Sequence, residues 1–445
     1  MKKTFTILIL STILYSLSVW NGPFAQVPLD FQGSLAYNPV LPHGEINSWE
    51  RAIMLPYAFI HNDTFYIFYS GFNTNMITSI GMATSADGYS FTKYPGNPVF
   101  TTSSGGFDSY NVTQGIVIEG QPGWIMYYNG REIPGFGPGP SVGMATSADL
   151  TGPWTRNPIP VLTVGSGDEW DAGFITPNNV FSQDTGGFIM FYSAGVDFNT
   201  GRQIGMAISP DGIVWTKYND PTTTNPPYAD SDPVVKVGDP GQWDGGQVWE
   251  CSVLKKASGY EMYYTGSDVN FTEHSIGFAS SFDGILWTKY ASNPVYTIND
   301  DPYAVAMGYP PIVEQPAIVI DYIDSIAFMY YDYGATYPGE IGMATAELPV
   351  GIINNKITND VFRIMNFPNP VAQSTTFSYK LKESGQVTIQ IFNCFGQLIA
   401  EPLDANQAKG EQIVTWSTGD LPAGIYFYRI LAGKEVGGGK MVMVK

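Results

Sequence analysis

Cysteine and histidine are scarce in this 445-residue chain, which has two of the first (Cys251 and Cys394) and three of the second. No cluster of them has the spacing of a zinc site, and the two cysteines fall in different expected domains, so no disulfide is expected. Charge is scarce too, at 14% of residues, and the basic side is the poorer: Lys+Arg 21 against Asp+Glu 40, a formal net charge of −19. A field of that sign repels phosphate backbones and anionic membranes, which sets nucleic acid aside as a partner and leaves neutral sugars unopposed. Beyond the N-terminus no apolar run is long enough to span a bilayer.

Aromatic residues are plentiful, at 14%, with 28 Tyr and 26 Phe, and 49 Gly and 32 Pro are scattered along the chain. Aromatic side chains suit pleated surfaces and Gly and Pro suit turns, so the composition points to an all-β protein of many short strands. At the N-terminus, Met1-Lys2-Lys3 is basic, Thr4 to Val19 is apolar, and a polar stretch ends at Ala25-Gln26. That order is the grammar of a secretory signal peptide over residues 1–26.

An internal repeat dominates the rest. Ser79-Ile80-Gly81-Met82-Ala83, Ser141-Val142-Gly143-Met144-Ala145, Gln203-Ile204-Gly205-Met206-Ala207, Ser275-Ile276-Gly277-Phe278-Ala279 and Glu340-Ile341-Gly342-Met343-Ala344 recur every 62 to 72 residues. Four of the units open on an aromatic-acid pair: Trp49-Glu50, Phe107-Asp108, Trp170-Asp171 and Trp243-Asp244. An apolar strand, an aromatic strand such as Tyr263-Tyr264 and the Ile-Gly strand follow. A turn then ends in Asp-Gly in three of the units, where Gly tolerates φ > 0, and leads to a last strand such as Trp215-Thr216-Lys217. Four strands per unit, radially repeated, describe the blades of a β-propeller, here five over residues 35–349.

The fifth unit lacks its own last strand, yet Asn38-Pro39-Val40 near the N-terminus matches Asn97-Pro98-Val99 and Asn293-Pro294-Val295. The N-terminal segment is therefore expected to supply the outer strand of the last blade and close the ring, which removes an exposed edge. Residues 350–362 are polar and read as a linker. Alternating strands after it, over 363–445, predict a small Ig-like β-sandwich. With Asn366-Phe367-Pro368-Asn369-Pro370, a Phe395-Gly396 turn, Leu421-Pro422-Ala423-Gly424-Ile425-Tyr426 and a terminal Lys440-Met441-Val442-Met443-Val444-Lys445, this segment resembles the C-terminal sorting domain of type IX secretion cargo. The resemblance implies recognition by the type IX machinery and a secreted or outer-membrane surface location.

Residues repeated in every blade are scaffold, so Asp87, Asp149, Asp211 and Asp283 are read as turn residues. Function is sought where the innermost strands differ. Blade four carries Trp249-Glu250-Cys251, with a carboxylate where blade two has Gln114 and blade three has Pro177. Burial against Trp249 raises a carboxyl pKa and suits a general acid. Glu314 in blade five, Asp171 and Asp108 are candidates for a second carboxylate; Arg51, Gln114, Asn178, Asn179 and Arg131, with Trp249, are candidate substrate contacts.

The blade grammar resembles the five-bladed glycosidases, the group of glycoside hydrolase families 43, 32 and 130, and Trp249-Glu250-Cys251 is similar to the motif that carries the acid in the fructan-cleaving family. The resemblance implies a glycoside hydrolase acting on a poly- or oligosaccharide, with Glu250 as acid. Two departures keep a second reading open, that of a propeller that binds glycans without cleaving them. No Asn-Asp-Pro-Asn-Gly motif opens blade one, and no Arg-Asp-Pro triplet occurs. Ser209 to Trp215 also resembles a sialidase Asp-box one residue short, but the arginines such an enzyme needs are few. No cofactor and no metal site is implied, a structural calcium stays open, and a monomer is expected.

Overall fold

The computed structural model describes residues 27–348 and 364–444, apart from 121–122, 134–140, 184–185, 198–200, 257–258, 335–338, 368–370, 372, 382, 394–397, 420 and 434. The expected signal peptide, the linker, Cys394 and the Phe-Gly turn lie outside the described residues. The chain divides into two compact units: Met1–Val319 with Phe328–Thr345, and Ile320–Ala327 with Ala346–Lys445.

The first unit holds five separate antiparallel sheets. Sheet one runs in sequence order through Ala52–His61, Thr64–Phe72, Thr78–Ser85 and Thr92–Lys93. Sheet two repeats this with Asn111–Gly120, Gly123–Arg131, Ser141–Ser147 and Thr155–Arg156. Sheet three has Phe174–Ser182, Phe188–Gly195, Gln203–Ser209 and Thr216–Lys217, with Pro233–Val235 also paired to its third strand. Sheet four has Gln247–Lys256, Gly259–Ser267, His274–Ser281 and Trp287–Lys289.

Sheet five consists of Glu314–Asp321, Ile326–Asp332 and Ile341–Glu347, and its fourth strand is Gln32–Gly33 from the N-terminus. Gln32 pairs with Thr345, and Leu41 bridges Ile341 as Phe100 bridges Ile80 and Tyr296 bridges Ile276. Asn38 explains the match of the Asn-Pro-Val motifs. Its Nδ2 donates to the Met343 carbonyl at 3.0 Å and its Oδ1 accepts the Met343 N–H at 2.8 Å. Asn97 makes the same two bonds to Met82, and Asn293 to Phe278. This segment begins ahead of residue 35, since Leu29 and Phe31 are already buried.

The repeated motifs are explained by locks within each sheet. The acid of the aromatic-acid pair pairs with the base of the fourth strand and, in sheets one, two and four, also accepts from a tyrosine of the second. Glu50 takes Tyr69 Oη at 2.8 Å and Lys93 Nζ at 3.1 Å. Asp108 takes Tyr128 Oη at 2.8 Å and Arg156 Nε at 2.9 Å. Asp244 takes Tyr264 Oη at 3.0 Å and Lys289 Nζ at 2.6 Å, and Asp171 takes Lys217 Nζ at 2.5 Å. In sheet five Asp301 fills the part, accepting from Tyr331 Oη at 2.6 Å and Tyr333 Oη at 2.7 Å. The Asp-Gly turns behave as expected: Asp87 Oδ1 accepts the N–H groups of Tyr89 and Ser90, and Gly88 sits at φ 75°.

Successive sheets are tied side by side. Ser70 Oγ in sheet one accepts the Gln114 N–H of sheet two at 2.9 Å. Asn129 Nδ2 in sheet two donates to the Ile175 carbonyl of sheet three at 2.7 Å. Ser193 Oγ in sheet three accepts from Glu250 N–H of sheet four, and Thr265 Oγ1 in sheet four from Gln315 N–H of sheet five, both at 2.8 Å. The series returns to its start: Asp332 Oδ2 in sheet five accepts the Leu55 N–H of sheet one at 3.0 Å.

The second unit contains a three-stranded sheet, Ile364–Phe367, Ser374–Leu381 and Gly410–Ser417, and a four-stranded sheet ordered Leu398–Gln407, Gly385–Asn393, Gly424–Ala432, Glu435–Met443. One apolar cluster draws on both, with Phe377, Tyr379 and Leu381 from the first and Val387, Ile389 and Ile391 from the second. Their spacing of two is the strand period that puts alternate side chains inside.

Candidate active site on the leading strands

The first strand of each sheet is where the five repeats diverge, and each of four carries an irregularity at the same place. The pairing register shifts between Met54 and Tyr57, Thr113 and Ile116, Pro177 and Asn179, and Trp249 and Cys251. Leu55, Gln114, Glu250 and Gln315 have φ of 58°, 56°, 24° and 61°. Non-glycine residues held there cost about 1–3 kcal/mol each and cluster where surrounding contacts over-determine them. Here the determining contact is the N–H bond to the neighbouring sheet just described. Sheet three departs because its residue is Pro177, whose ring forbids positive φ and which has no N–H to give.

Glu250 is thus fixed by a strained backbone anchored on Ser193 Oγ. Its residue is half-buried, while its Oε2 is sealed from solvent and has no hydrogen-bond partner. Burial pushes its carboxyl up to about 8; Arg202 works against this shift and Glu314 adds to it. A carboxyl so placed is mostly protonated at neutral pH.

Around it stand groups from three sheets. Trp249 is 1% exposed, lies under the Arg202 guanidinium at 4.0 Å, and meets His274 edge-on at 5.0 Å. Arg202 Nε also donates to Gln247 Oε1. His274 Nδ1 lies 2.8 Å from Glu314 Oε2, and its Nε2 is buried without a partner. Asp332 is fully buried, with Oδ1 accepting the Gly334 N–H at 2.9 Å and Oδ2 accepting that of Leu55. Burial and the charge of Glu314 push the Asp332 carboxyl well up.

Of the residues singled out in the sequence, Glu250, Trp249 and Glu314 are brought together here. Asp108 and Asp171 are held in the sheet locks; Asp108 also accepts from Ser103 Oγ, and Asp171 has Ser231 Oγ at 3.4 Å. Those bonds count against both as a second catalytic carboxylate. Asn179 is likewise occupied, its Oδ1 accepting the Val253 N–H at 2.7 Å. Asn178 Oδ1 accepts from Ser193 Oγ at 2.8 Å, and its Nδ2 is buried and unpartnered. Gln114 is 6% exposed. Arg131 ends the second strand of sheet two and is buried, and Arg51 stands just ahead of the first leading strand.

Three residues were not anticipated. Asp332 follows the aromatic pair where the other sheets have Ser70, Asn129, Ser193 and Thr265. Arg202 and His274 stand two residues before the Ile of the Ile-Gly strands, where the other repeats have Thr78, Pro140 and Gly339. A position-by-position comparison of the repeats carries that signal, since an ionisable residue stands where the other repeats have none.

Residues 366–445 match the family model of the secretion system C-terminal sorting domain. The chain carries that sorting domain. It marks the protein for export by type IX secretion, to the cell surface or the extracellular space. Comparison with curated protein sequences returned no match.

Solved structures share the fold of the part that precedes the sorting domain. One is described as the GH130 family of mannoside phosphorylases containing glycoside hydrolases that target β-1,2 mannosidic linkages in Candida mannan; it is 18% identical, with TM-score 0.56, over 73% of this chain and 96% of its own. A glycosyl hydrolase from Bacteroides ovatus is 17% identical, with TM-score 0.54, over 73% and 97%. The β-1,2-mannobiose phosphorylase of Listeria innocua is 12% identical, with TM-score 0.51, over 72% and 97%. The likeness is one of fold: an all-β chain with the architecture of glycosidase propellers.

Proposed function

We propose that the five sheets are the blades of one propeller, and that its hub cleaves a glycosidic bond in an extracellular poly- or oligosaccharide with Glu250 as general acid. The cyclic series of bonds from Ser70–Gln114 round to Asp332–Leu55 supports the ring. The second unit is read as the Ig-like sandwich recognised by the secretion machinery. The signal peptide over 1–26 and the linker over 350–362 complete that reading.

The observation that carries the catalytic reading is the state of Glu250, a proton held near neutral pH beside an oxygen that nothing claims. Such a group can give its proton to the leaving oxygen as the bond to the sugar breaks. Glycoside hydrolysis uses a second carboxylate, as nucleophile or as base for water. Glu314 fits that part best, because it stands on the leading strand of the adjacent sheet and His274 orients it. Trp249, next to Glu250 in the chain and itself buried, is held between Arg202 and His274.

A hydrolysis assay on a panel of oligosaccharides tests this. β-1,2-Mannosides form its first arm, since a protein of this fold is described as targeting them. The secreted protein should cleave at least one member, and Glu250→Gln should abolish cleavage while leaving binding. Cleavage that survives the substitution removes Glu250 from the role. The leading strand Ala52–His61 of sheet one, which has no acidic residue, favours the second reading, a propeller that binds glycans without cutting them, and binding without cleavage across the panel would establish it.

A further inference from the structure

Four of the five sheets share one register. The residue that precedes Leu55, Gln114, Pro177 or Glu250 pairs with the residue just after the aromatic pair: Met54 with Ser70, Thr113 with Asn129, Thr176 with Ser193, Trp249 with Thr265. The corresponding residues of sheet five are Glu314 and Asp332, on strands that are hydrogen-bonded neighbours. Directly opposed side chains on one face of an antiparallel pair stand about 4.5–5.5 Å apart at Cβ, and two like charges there repel. In no other sheet are both members of this pair acidic, and in none is either member an acid.

The framework does not require a carboxyl at 332. Anchoring the N–H of the next leading strand is done by a hydroxyl at Ser70, Ser193 and Thr265. Asp332 does the same work with an ionisable group at 0% exposure, which costs desolvation that a serine would not incur. The groups that face this pair are Glu250 and His274 from sheet four and Arg202 from sheet three, with the N–H groups of Leu55 and Gly334 on Asp332 itself.

We propose that Asp332 is a positioning residue for Glu314: the two opposed carboxyl groups hold one proton between them, so the pair presents a single negative charge to the hub, facing Glu250. Two carboxylates at one site cannot both ionise cheaply, and a shared proton removes the repulsion. The inference rests on the reading of the hub as a glycoside-cleaving site and assigns its second carboxylate a partner. The burial of Asp332 keeps it from touching substrate, while Glu314 stays oriented by His274 on its other side.

The test is infrared spectroscopy of the full-length secreted protein at neutral pH, reading the carbonyl bands of protonated carboxyl groups. The wild type should show one such band from the pair and one from Glu250. Asp332→Ser, which restores the hydroxyl that Ser70 and Ser193 provide, should lose the pair's band and keep the other. Glu314→Gln leaves Asp332 protonated by its burial but without the carboxylate that shares its proton, so the same band should shift rather than vanish, which reads the pair from its other member if the serine variant folds poorly. A wild-type spectrum unchanged by both substitutions overturns the proposal. Glu250→Gln removes only the second band; if it removes nothing, the general-acid reading fails while the comparison of wild type with Asp332→Ser still decides the pair.

Discussion

The hydroxyl of Ser193 in sheet three accepts the backbone N–H of Glu250 in sheet four at 2.8 Å, and the same oxygen donates to Asn178 Oδ1 at 2.8 Å. One small side chain thus fixes the strained backbone of the proposed acid and orients a neighbouring amide. Ser193→Ala leaves a buried donor and a buried acceptor unmatched, a loss of about 1–3 kcal/mol for each. The variant should unfold at lower urea than wild type and lose activity. Ser193→Thr should recover both, because Thr265 Oγ1 does the equivalent work for Gln315. Equal stability of the alanine variant would show that this anchor is dispensable.

The state of Glu250 sets a pH dependence whose sign follows from its environment. Its carboxyl is raised from 4.5 to about 8, so the acid form needed for proton donation should persist to pH about 8, and cleavage should fall above it. Arg202 lowers that value, so Arg202→Gln should move the alkaline limb of the rate profile to higher pH. Stability follows the same linkage. Folding favours the protonated form, so the contribution of Glu250 is full below about pH 4.5 and is lost as pH rises through about 8. Unfolding of wild type against Glu250→Gln across that range should show the difference narrowing or reversing towards alkaline pH, and a flat difference would contradict the buried neutral acid.

Asp171 offers the contrast of an acid in the framework. Its side chain is fully buried and Lys217 Nζ lies 2.5 Å away. Removing one partner of such a pair leaves an uncompensated buried charge, at a cost of about 3–5 kcal/mol. Lys217→Met should therefore destabilise the protein by about that amount in urea titrations. Asp171→Asn should cost less and leave the pH–rate profile in place. A shifted profile in the asparagine variant would return Asp171 to the list of catalytic candidates.

Repetition made the fold legible. Four copies of Ile-Gly and one of Val-Gly, their aromatic strands and the displaced Asn38-Pro39-Val40 each have a counterpart in the sheets. The same repetition hid part of the site. Glu250 could be read because an acid interrupted a neutral series on a leading strand, but Asp332 lies on a second strand, where the Tyr331-Asp332-Tyr333 run looks like core. Arg202 and His274 flank Trp249 only once sheets three and four are set side by side. Asp108 and Asp171 were ambiguous for a related reason: an acid beside an aromatic reads alike whether it meets substrate or a basic side chain from a strand 46 to 48 residues later.

The N-terminal segment carries the last prediction, because the fifth sheet is incomplete without it. Asn38 is buried and bonds Met343 through both ends of its amide, and its Nδ2 also reaches Asp301 Oδ2 at 3.1 Å. Asn97 and Asn293 do this between residues fifteen apart, whereas Asn38 and Met343 are separated by 305. Asn38→Ala should therefore weaken a contact that joins the two ends of the unit, where Asn97→Ala weakens only a local one. Without Gln32–Gly33 beside it, the strand Ile341–Glu347 presents unpaired backbone groups, the kind of edge that recruits other chains. The Asn38 variant should thus lose stability as the Asn97 variant does and, unlike it, form aggregates on mild heating, measured by light scattering. Equal scattering from the two would mean that the segment does not protect the edge.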